Sequence, residues 1–399
     1  MIHFKKNNVI NTLAFIISPL FTIPIIFYSI YKKNNYSLSL IVVFIGLLSF
    51  LYVPSVTNDR VDYYNMFFQF KDYSLKNFIF YLGLIKRPDF IFHFLIFQFS
   101  KAGIDIQFLF FIVTSFTVGG SFFIFDKLSA KEKLSRIYYF TGFLLFLFSF
   151  SYPHLISGMR QYLGMSFLLL AINDLLFEKK NFRGIVLASV AILTHFSLII
   201  FIPALILLSS FHELNITYRV IFLFSFLFFL IPENLIVDFI MSLNLPEGYN
   251  AKIEAYLTGE DFIEQGINRG SSNYLLVYLF SIGWIYPAYI YLIYTIKRKS
   301  LIRNYNYLFF SFVNMFYTIP TIFWRYSFFL RIIFVLLIIY ELKFHKIKPV
   351  YIFLCIFFIS LLSQIIITRY NLFESYLNEY LISGFLVFLK DIQPHDFLQ

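Results

Sequence analysis

The sequence predicts an all-α protein that crosses a membrane many times. Of its 399 residues, 59% are hydrophobic and only 14% are charged, and the mean hydropathy is +0.75. Charged residues normally supply about a quarter of a soluble domain. The apolar runs have the length of membrane helices, roughly 17–25 residues, and lack the ~10-residue alternation of a transmembrane β-barrel.

The positive charge of the chain has a simple explanation in a membrane protein. The formal net charge is +10, and the Lys and Arg residues concentrate in short segments between apolar runs. This is the pattern of the positive-inside rule, so we expect cytoplasmic loops and no binding to nucleic acid. The single cysteine, Cys355, lies in an apolar run and excludes both a disulfide within the chain and a cysteine metal cluster.

The predicted helices follow the apolar runs in order. The first run, 9–31, is too long for a signal-peptide core and is interpreted as a retained anchor. The predicted spans are 9–31, 36–56, 104–125, 137–152, 161–177, 184–208, 220–245, 274–296, 305–323, 327–342 and 350–368, with shorter apolar pieces at 90–99 and 381–389. We therefore expect about 11–14 transmembrane or re-entrant helices in a single transmembrane domain, 1–399.

Four basic loops test this list of spans, because all four should lie in the cytoplasm. The loops are 126–136, 178–183, 297–303 and 343–348. The second and third are separated by three predicted spans, which would place them on opposite sides of the membrane. One of the three must cross an even number of times, and the candidates are a break in 184–208 near His195 or a break in 220–245 at Pro232. We favour His195 at a turn that faces a cavity, since non-helical backbone at membrane depth needs protein or water around it.

This arrangement also predicts which segments lie outside. The longest are the external loops 57–89 and 246–273, and long loops in compact proteins are often functional. The shorter external segments are 153–160, a tight turn at 324–326 and 369–380. The amino terminus is also predicted outside.

The first external loop begins with carboxylates and aromatic side chains. Asp59 and Asp62 follow a span directly, with Tyr63 and Tyr64 behind them. A carboxylate can deprotonate a sugar hydroxyl or hold a metal, and a flat aromatic ring can stack on a sugar. The alternative is a solvated loop with an aromatic belt at the membrane interface.

Several cations are predicted at the external ends of spans. Arg160 and Gln161 open a span from outside, where a planar guanidinium and the free N–H groups of the helix end favour an anion such as phosphate. Arg325 lies in the predicted 324–326 turn, and Arg331 lies more than one helical turn deeper. Arg269 in the long loop is a further candidate. The alternatives are a snorkelling arginine at 160 and a structural ion pair at 325 and 331.

His195 is the remaining candidate, as an ionisable ring that shares the external side with these groups. A membrane histidine can equally be a packing residue with its hydrogen bonds satisfied. The sequence contains no HExxH pair, Walker loop, GxSxG elbow or dinucleotide fingerprint, so hydrolase, ATPase and Rossmann chemistry are not supported.

Four short motifs, in order, resemble the EpsG family, which belongs with the Wzy-type polymerases of bacterial O-antigen and exopolysaccharide. They are Asp62-Tyr63-Tyr64, RPDF at 87–90, MRQYLGMSFLLLAI at 159–172 and ILTHFSLIIFIP at 192–203. Val61 stands where the family pattern often has glycine, so Asp59 and Asp62 both remain candidates for the equivalent residue.

The resemblance implies a fold similar to GT-C membrane glycosyltransferases and a reaction on the outer face of the bacterial inner membrane. A growing glycan would pass from undecaprenyl diphosphate to a lipid-linked repeat unit, without a cofactor. Arg160, Arg325 and Arg331 would hold the diphosphate, and His195 or Asp62 would act as the general base. Membrane lipids and a protein that regulates chain length are further expected partners.

Other functions remain open from the sequence. A polysaccharide flippase would need charges distributed through a central cavity, whereas here they gather at external helix ends. An O-antigen ligase shares the donor chemistry of a polymerase, and a membrane O-acetyltransferase is a further alternative.

Overall fold

The fold is all-α, as predicted, in a computed structural model that describes residues 6–85, 89–211, 213–242, 278–342 and 348–398. Among these residues the only extended pairing is one isolated bridge between Ser55 and Leu398. The helices are α1 Lys6–Ile17, α2 Pro19–Tyr31, α3 Asn35–Leu51, α4 Asp59–Phe70, α5 Leu75–Ile85, α6 Ile91–Ala102, α7 Ile106–Lys131, α8 Arg136–Ser149, α9 Tyr152–Ser157, α10 Met159–Ile172, α11 Asn181–Thr194, α12 Ile202–Ser210, α13 Asn215–Phe224, α14 Glu233–Ser242, α15 Ile285–Tyr294, α16 Leu301–Asn314, α17 Pro320–Glu341, α18 Lys348–Ile367, α19 Arg369–Tyr376 and α20 Glu379–Ile382.

Three helices in the described residues are each long and apolar enough to cross a bilayer by length and composition. They are Ile106–Lys131, Pro320–Glu341 and Val350–Ile367, and shorter apolar helices surround them. Helix α17 is the centre of the bundle, because nearly all of its side chains between Ser327 and Ile339 are buried. This central position explains why its apolar character continues around the whole helix.

Contacts between basic segments define one end of the bundle, called here the basic end. Lys127 Nζ pairs with Glu178 Oε1 at 2.6 Å, which joins the first two basic loops. Arg219 Nη2 donates to the Arg298 carbonyl at 3.0 Å, next to the third loop. The opposite end, called the distal end, carries α4, α5, α6 and α9. Residues 343–347 of the fourth basic loop lie outside the described residues.

The chain breaks at His195, as favoured from the sequence. Helix α11 ends at Thr194, His195 is extended with φ −149° and ψ 103°, and a 3₁₀ turn leads into α12. Helix α12 then packs against the 173–177 segment, close to where α11 started. Asn215, just after α12, accepts from Asn304 Nδ2 at 3.0 Å at the basic end. The 184–208 segment therefore enters and leaves at the basic end, and His195 lies at its tip.

The alternative break at Pro232 is also present. The two apolar pieces Asn215–Leu230 and Glu233–Ser242 meet there at 110°. The first piece runs from the basic end towards the distal end, and the second piece turns away from the axis of the bundle. The first three basic loops become compatible with one side, because the His195 segment contributes no crossing and the 215–230 segment contributes one.

The predicted span 9–31 is wrong, and so is the predicted external amino terminus. Pro19 starts a new helix after Ser18, and α1 folds back along α2. Asn11 Nδ2 reaches Ser29 Oγ at 3.3 Å, and Asn34 Nδ2 reaches Asn8 Oδ1 at 2.7 Å. One straight helix would hold Asn11 and Ser29 about 27 Å apart. Because Asn34 adjoins the basic end, the start of α1 lies there too.

The predicted turn at 324–326 is also wrong. The chain reverses at 315–319, and α17 begins with Pro320, whose fixed φ and missing N–H suit the first position of a helix. Arg325 consequently sits within a helix. In the sequence, the charge of Arg325 suggests a loop at that position. The start of the helix is instead marked by Pro320, more than one turn earlier.

The predicted external loop 57–89 is largely helical and forms a distal layer with its own hydrophobic core. Arg60, fully buried, joins this layer to the bundle: Nη1 donates to the Ser49 carbonyl at 2.8 Å and Nε to the Ile156 carbonyl at 2.9 Å. Its guanidinium also lies 4.3 Å from the centre of the Phe110 ring. The other predicted external loop, 246–273, lies outside the described residues.

Candidate functional site

Three side chains from separate segments meet at the distal end. Asp89 comes from the turn before α6, Arg160 from the first turn of α10, and His195 from the tip of the re-entrant segment. Arg160 Nη1 lies 3.4 Å from Asp89 Oδ2, and His195 Nδ1 lies 3.8 Å from the same oxygen. Asp89 is fully buried, whereas the Arg160 side chain keeps 17% of its surface exposed. A buried carboxylate thus joins a cation to a histidine.

The approach of the His195 tip to α10 depends on Gly164. A Cβ atom built on Gly164 would lie 2.7 Å from Leu198 Cδ1, 3.2 Å from the Ala191 carbonyl oxygen and 3.2 Å from His195 Cβ. These distances are shorter than normal packing contacts, so a side chain would push the tip away. The Tyr326 hydroxyl fixes the other side of the tip by donating to the Ser197 carbonyl at 3.0 Å.

Asp89 is the central residue of the site, and sequence reasoning did not select it. It lies just before the N-terminus of α6, where the free N–H groups and the helix dipole favour a carboxylate. The His93 Nδ1 atom lies 3.2 Å from the Asp89 carbonyl oxygen, in the following turn of the chain. The RPDF motif was the only available signal, and its Arg87 and Pro88 lie outside the described residues.

Arg325 and Gln161 extend the site along α17 and α10. Gln161 Nε2 donates to the Arg325 carbonyl at 3.3 Å. Arg160 and Arg325 both lie within electrostatic range of His195 and of Asp59. The pKa of Asp59 is raised, because desolvation outweighs the two arginines, which act in the opposite direction. Two cations, a histidine and carboxylates therefore border one region of the distal end.

The comparisons with known proteins agree with the resemblance seen in the sequence. The EpsG family model matches residues 40–381, which is most of the chain. The chain belongs to the EpsG family. No curated protein and no solved structure matches it. Family membership supports a polysaccharide-polymerase-like membrane protein.

The EpsG-family match contains every member of the Asp89, Arg160 and His195 cluster. It also contains His154, which sequence reasoning missed. The His154 ring centre lies 4.7 Å from those of Trp324 and Phe328, and Nδ1 lies 2.7 Å from Ser151 Oγ. Burial, with a smaller effect of Arg325, lowers the pKa of His154 to about 4, so the ring is neutral near pH 7. This aromatic group borders Arg325.

The structure does not place the two predicted sugar-stacking tyrosines at an open surface. Tyr63 packs against Phe92 with ring centres 4.8 Å apart, and Tyr64 packs against Phe110 at 5.5 Å. Both rings are buried in the distal core. Tyr63 lies within electrostatic range of Arg160, and burial raises its pKa to about 12. Asp62 is exposed on the same helix.

Arg331 also lies apart from the Asp89 cluster. It is fully buried, its Nη1 donates to Ser360 Oγ at 2.9 Å, and its Nη2 donates to the Phe148 carbonyl at 2.7 Å. Its guanidinium lies 4.4 Å from the centre of the Phe357 ring. These contacts occupy the side chain in packing, without an accessible face for a phosphate. Arg269 lies outside the described residues.

In chemical terms the cluster of the EpsG-family chain combines an anion site with an oriented proton acceptor. Arg160 and Arg325 supply positive charge, and the Asp89 carboxylate lies 3.8 Å from His195 Nδ1, close enough for electrostatic attraction but longer than a hydrogen bond. Within the described parts of the chain, no three His, Cys, Asp or Glu side chains come together as a metal-binding group.

Proposed function

We propose that this protein is a Wzy-type polysaccharide polymerase of the bacterial inner membrane. It transfers a growing glycan from undecaprenyl diphosphate to a hydroxyl of a lipid-linked repeat unit, on the outer face of the membrane. The bond between the anomeric carbon and the diphosphate oxygen breaks. A new glycosidic bond forms, and the acceptor hydroxyl loses its proton. The distal end is the outer face, because the basic loops lie at the other end.

The observation that carries this proposal is the meeting of Arg160, Asp89 and His195 at the distal end of an EpsG-family chain. The leaving diphosphate requires positive charge rather than a nucleophile, and two arginines border the site. The acceptor requires a base, and burial lowers the pKa of His195 to about 4, so its neutral ring can accept a proton near pH 7. Both requirements are met within one group of side chains.

In the proposed mechanism Arg160 and Arg325 bind the diphosphate. His195 takes the proton of the acceptor hydroxyl, and Asp89 acts as a positioning residue for its ring. Asp62, exposed at the start of α4, is the alternative base. Asp59 and Gln161 contact the sugars or orient the two arginines. A protein that regulates chain length would be a separate partner on the outer face.

The test uses a deletion strain complemented with single variants. Arg160→Ala, His195→Ala and Arg325→Ala should each abolish long glycan chains while single lipid-linked units accumulate on the outer face. Arg183→Ala is the matched control, because Arg183 forms an ion pair with Asp174 at the basic end. It should leave chain length unchanged, and immunoblots of the membranes should show equal protein amounts.

Different outcomes separate the proposal from its alternatives. If deletion leaves glycan length unchanged, the polymerase proposal is wrong. Units accumulating on the inner face would indicate a flippase, long polymer that stays on its lipid carrier would indicate a ligase, and unacetylated long chains would indicate an O-acetyltransferase.

A further inference from the structure

We propose that an apolar cavity lined in part by α9 binds the isoprene units nearest the phosphate of a lipid-linked substrate, with Arg369 at the phosphate end. The proposal rests on the proposed function for the identity of this lipid. The cavity has a volume of about 320 Å³ and lies between α2, α3, α8, α9 and α18. This volume is at the lower end of the range for ligand sites.

The cavity has the shape of a groove along the bundle axis. Ile41, Ile45 and Leu48 form one stripe on α3, and Leu361 and Ile365 form another on α18. Both helices run towards the distal end, and both stripes follow helical spacing, so the groove is parallel to them. From Ile41 to the end of α3 it extends about 15 Å, which is half the thickness of a hydrocarbon core.

The lining excludes a polar ligand. Tyr152 and Tyr376 border the cavity, but their hydroxyls donate to the Leu147 carbonyl at 3.0 Å and the Leu48 carbonyl at 2.8 Å. These phenols are therefore satisfied by the protein itself. A phosphate or sugar placed between such walls would lose its hydration without new hydrogen bonds, whereas a hydrocarbon chain would gain contacts.

The distal rim of the cavity adds positive charge. Thr368 lines the mouth, and exposed Arg369 follows it directly, with Nη1 donating to the Ile366 carbonyl at 3.1 Å. Lys390 Nζ donates to the carbonyl of Leu51 at 3.1 Å, also near the mouth. Asp396, Glu374 and Glu379 partly offset the charge of Lys390, so Arg369 is the cation expected to meet a phosphate. Hydrocarbon below and a cation above fit an isoprenoid diphosphate.

The short helix α9 lies between this cavity and the aromatic group that borders Arg325. Tyr152, Pro153 and Ile156 line the cavity, whereas His154 on the same helix contacts Trp324. Polymerisation uses two lipid-linked substrates, each with its own carrier chain. An apolar site on the other side of α9 from His154 would suit one of these two carrier chains.

Photo-cross-linking tests the proposal on the full chain in nanodiscs. The probe is undecaprenyl diphosphate with a small photoreactive diazirine in one of the isoprene units nearest the diphosphate. We expect labelled peptides from the Ile41–Leu48 stripe and from Leu361 and Ile365. Leu361→Trp should fill the groove and reduce labelling about tenfold. Leu362→Trp is the matched control, since Leu362 is exposed and does not line the cavity. Arg369→Gln should raise the probe concentration needed for half-maximal labelling several-fold.

Two results would overturn the proposal. One is labelling spread evenly over exposed positions such as Leu362 in the unmodified protein, which does not depend on how any variant folds. The other is loss of labelling when phosphatidylglycerol is added at equal mole fraction, because the groove would then be an ordinary phospholipid site. Polymerisation is measured separately in the same nanodiscs. Polymerisation without labelling of the groove would contradict only this inference. Labelling of the groove without polymerisation would contradict only the proposed function.

Discussion

Asp89→Asn is the sharpest test of the site, because it removes one charge with almost no change in shape. With Arg160 Nη1 at 3.4 Å, the Coulomb attraction is about 5 kcal/mol at an effective dielectric constant of about 20. Breaking a buried pair typically costs about 3–5 kcal/mol, since the remaining charge is left in a poorly solvated position. The imidazole of His195 also loses its orienting carboxylate. We expect the polymerisation rate to fall roughly 10²–10⁴-fold.

The assay is polymerisation of purified lipid-linked repeat units in proteoliposomes, with product length resolved on a gel. Asp174→Asn is the matched control. Asp174 is buried to 1% exposure and pairs with Arg183, with Nη2 2.6 Å from Oδ1 at the basic end. It should lose stability in detergent while retaining its rate. Normal polymerisation by Asp89→Asn at normal protein amounts would refute the assignment.

The pH dependence of Asp89→Asn separates a positioning role from a purely structural one. Protonation of His195 would remove the base, so activity should decline on the acidic side. Asp89 stabilises the protonated ring, and its removal should move this acidic limb to lower pH. An unchanged limb in a folded variant with residual activity would exclude His195 as the titrating base.

Three further predictions concern packing, charge and topology. Gly164→Ala should cost about 1–3 kcal/mol and reduce activity by displacing the His195 tip. Gly83→Ala in α5, with no atom within 4 Å of its Cβ, should leave activity unchanged and should not lower the melting temperature, since alanine favours a helix over glycine. Asp59→Asn should raise thermal stability slightly at pH 7, by no more than about 0.5 kcal/mol. The pKa of Asp59 in the folded protein is raised above the ordinary value of 3.8, so folding disfavours its ionised form. The stability gained by Asp59→Asn should therefore disappear as the pH falls through the folded-state pKa towards 3.8. Green fluorescent protein fused to the amino terminus should fluoresce, and alkaline phosphatase fused there should be inactive, because both results indicate a cytoplasmic amino terminus. The reverse result would contradict the α1–α2 hairpin.

The arrangement near His195 was predictable because charge and parity constrain it together. The basic loops fix the sides, and an odd number of spans between them required a break. The Ser18–Pro19 break escaped the same reasoning, because only Lys5 and Lys6 precede it and the 9–31 run fits one span in length. Those two charges argued against an external amino terminus too weakly to reveal the hairpin.

Side-chain roles were less predictable than the helices. Asp89 lies in a stretch interpreted as an external loop, and nothing in a single sequence shows that such a carboxylate is buried against Arg160. Tyr64 and Arg331 show the converse, since their residue types suit ligand binding but tertiary packing buries them. Burial is decided by segments distant in the chain, so local pattern alone could not separate these cases.

The α1–α2 hairpin has a consequence for how the chain is inserted during synthesis. Because it enters and leaves at the basic end, it carries no hydrophilic segment across the bilayer. Helix α3 is the first helix whose following segment must cross the bilayer. The first polar segment to cross is therefore the Asp59–Ala102 layer, which carries Asp89. Under the proposed topology, the segment that carries Asp89 therefore crosses the bilayer before α10 and the His195 tip have been synthesised.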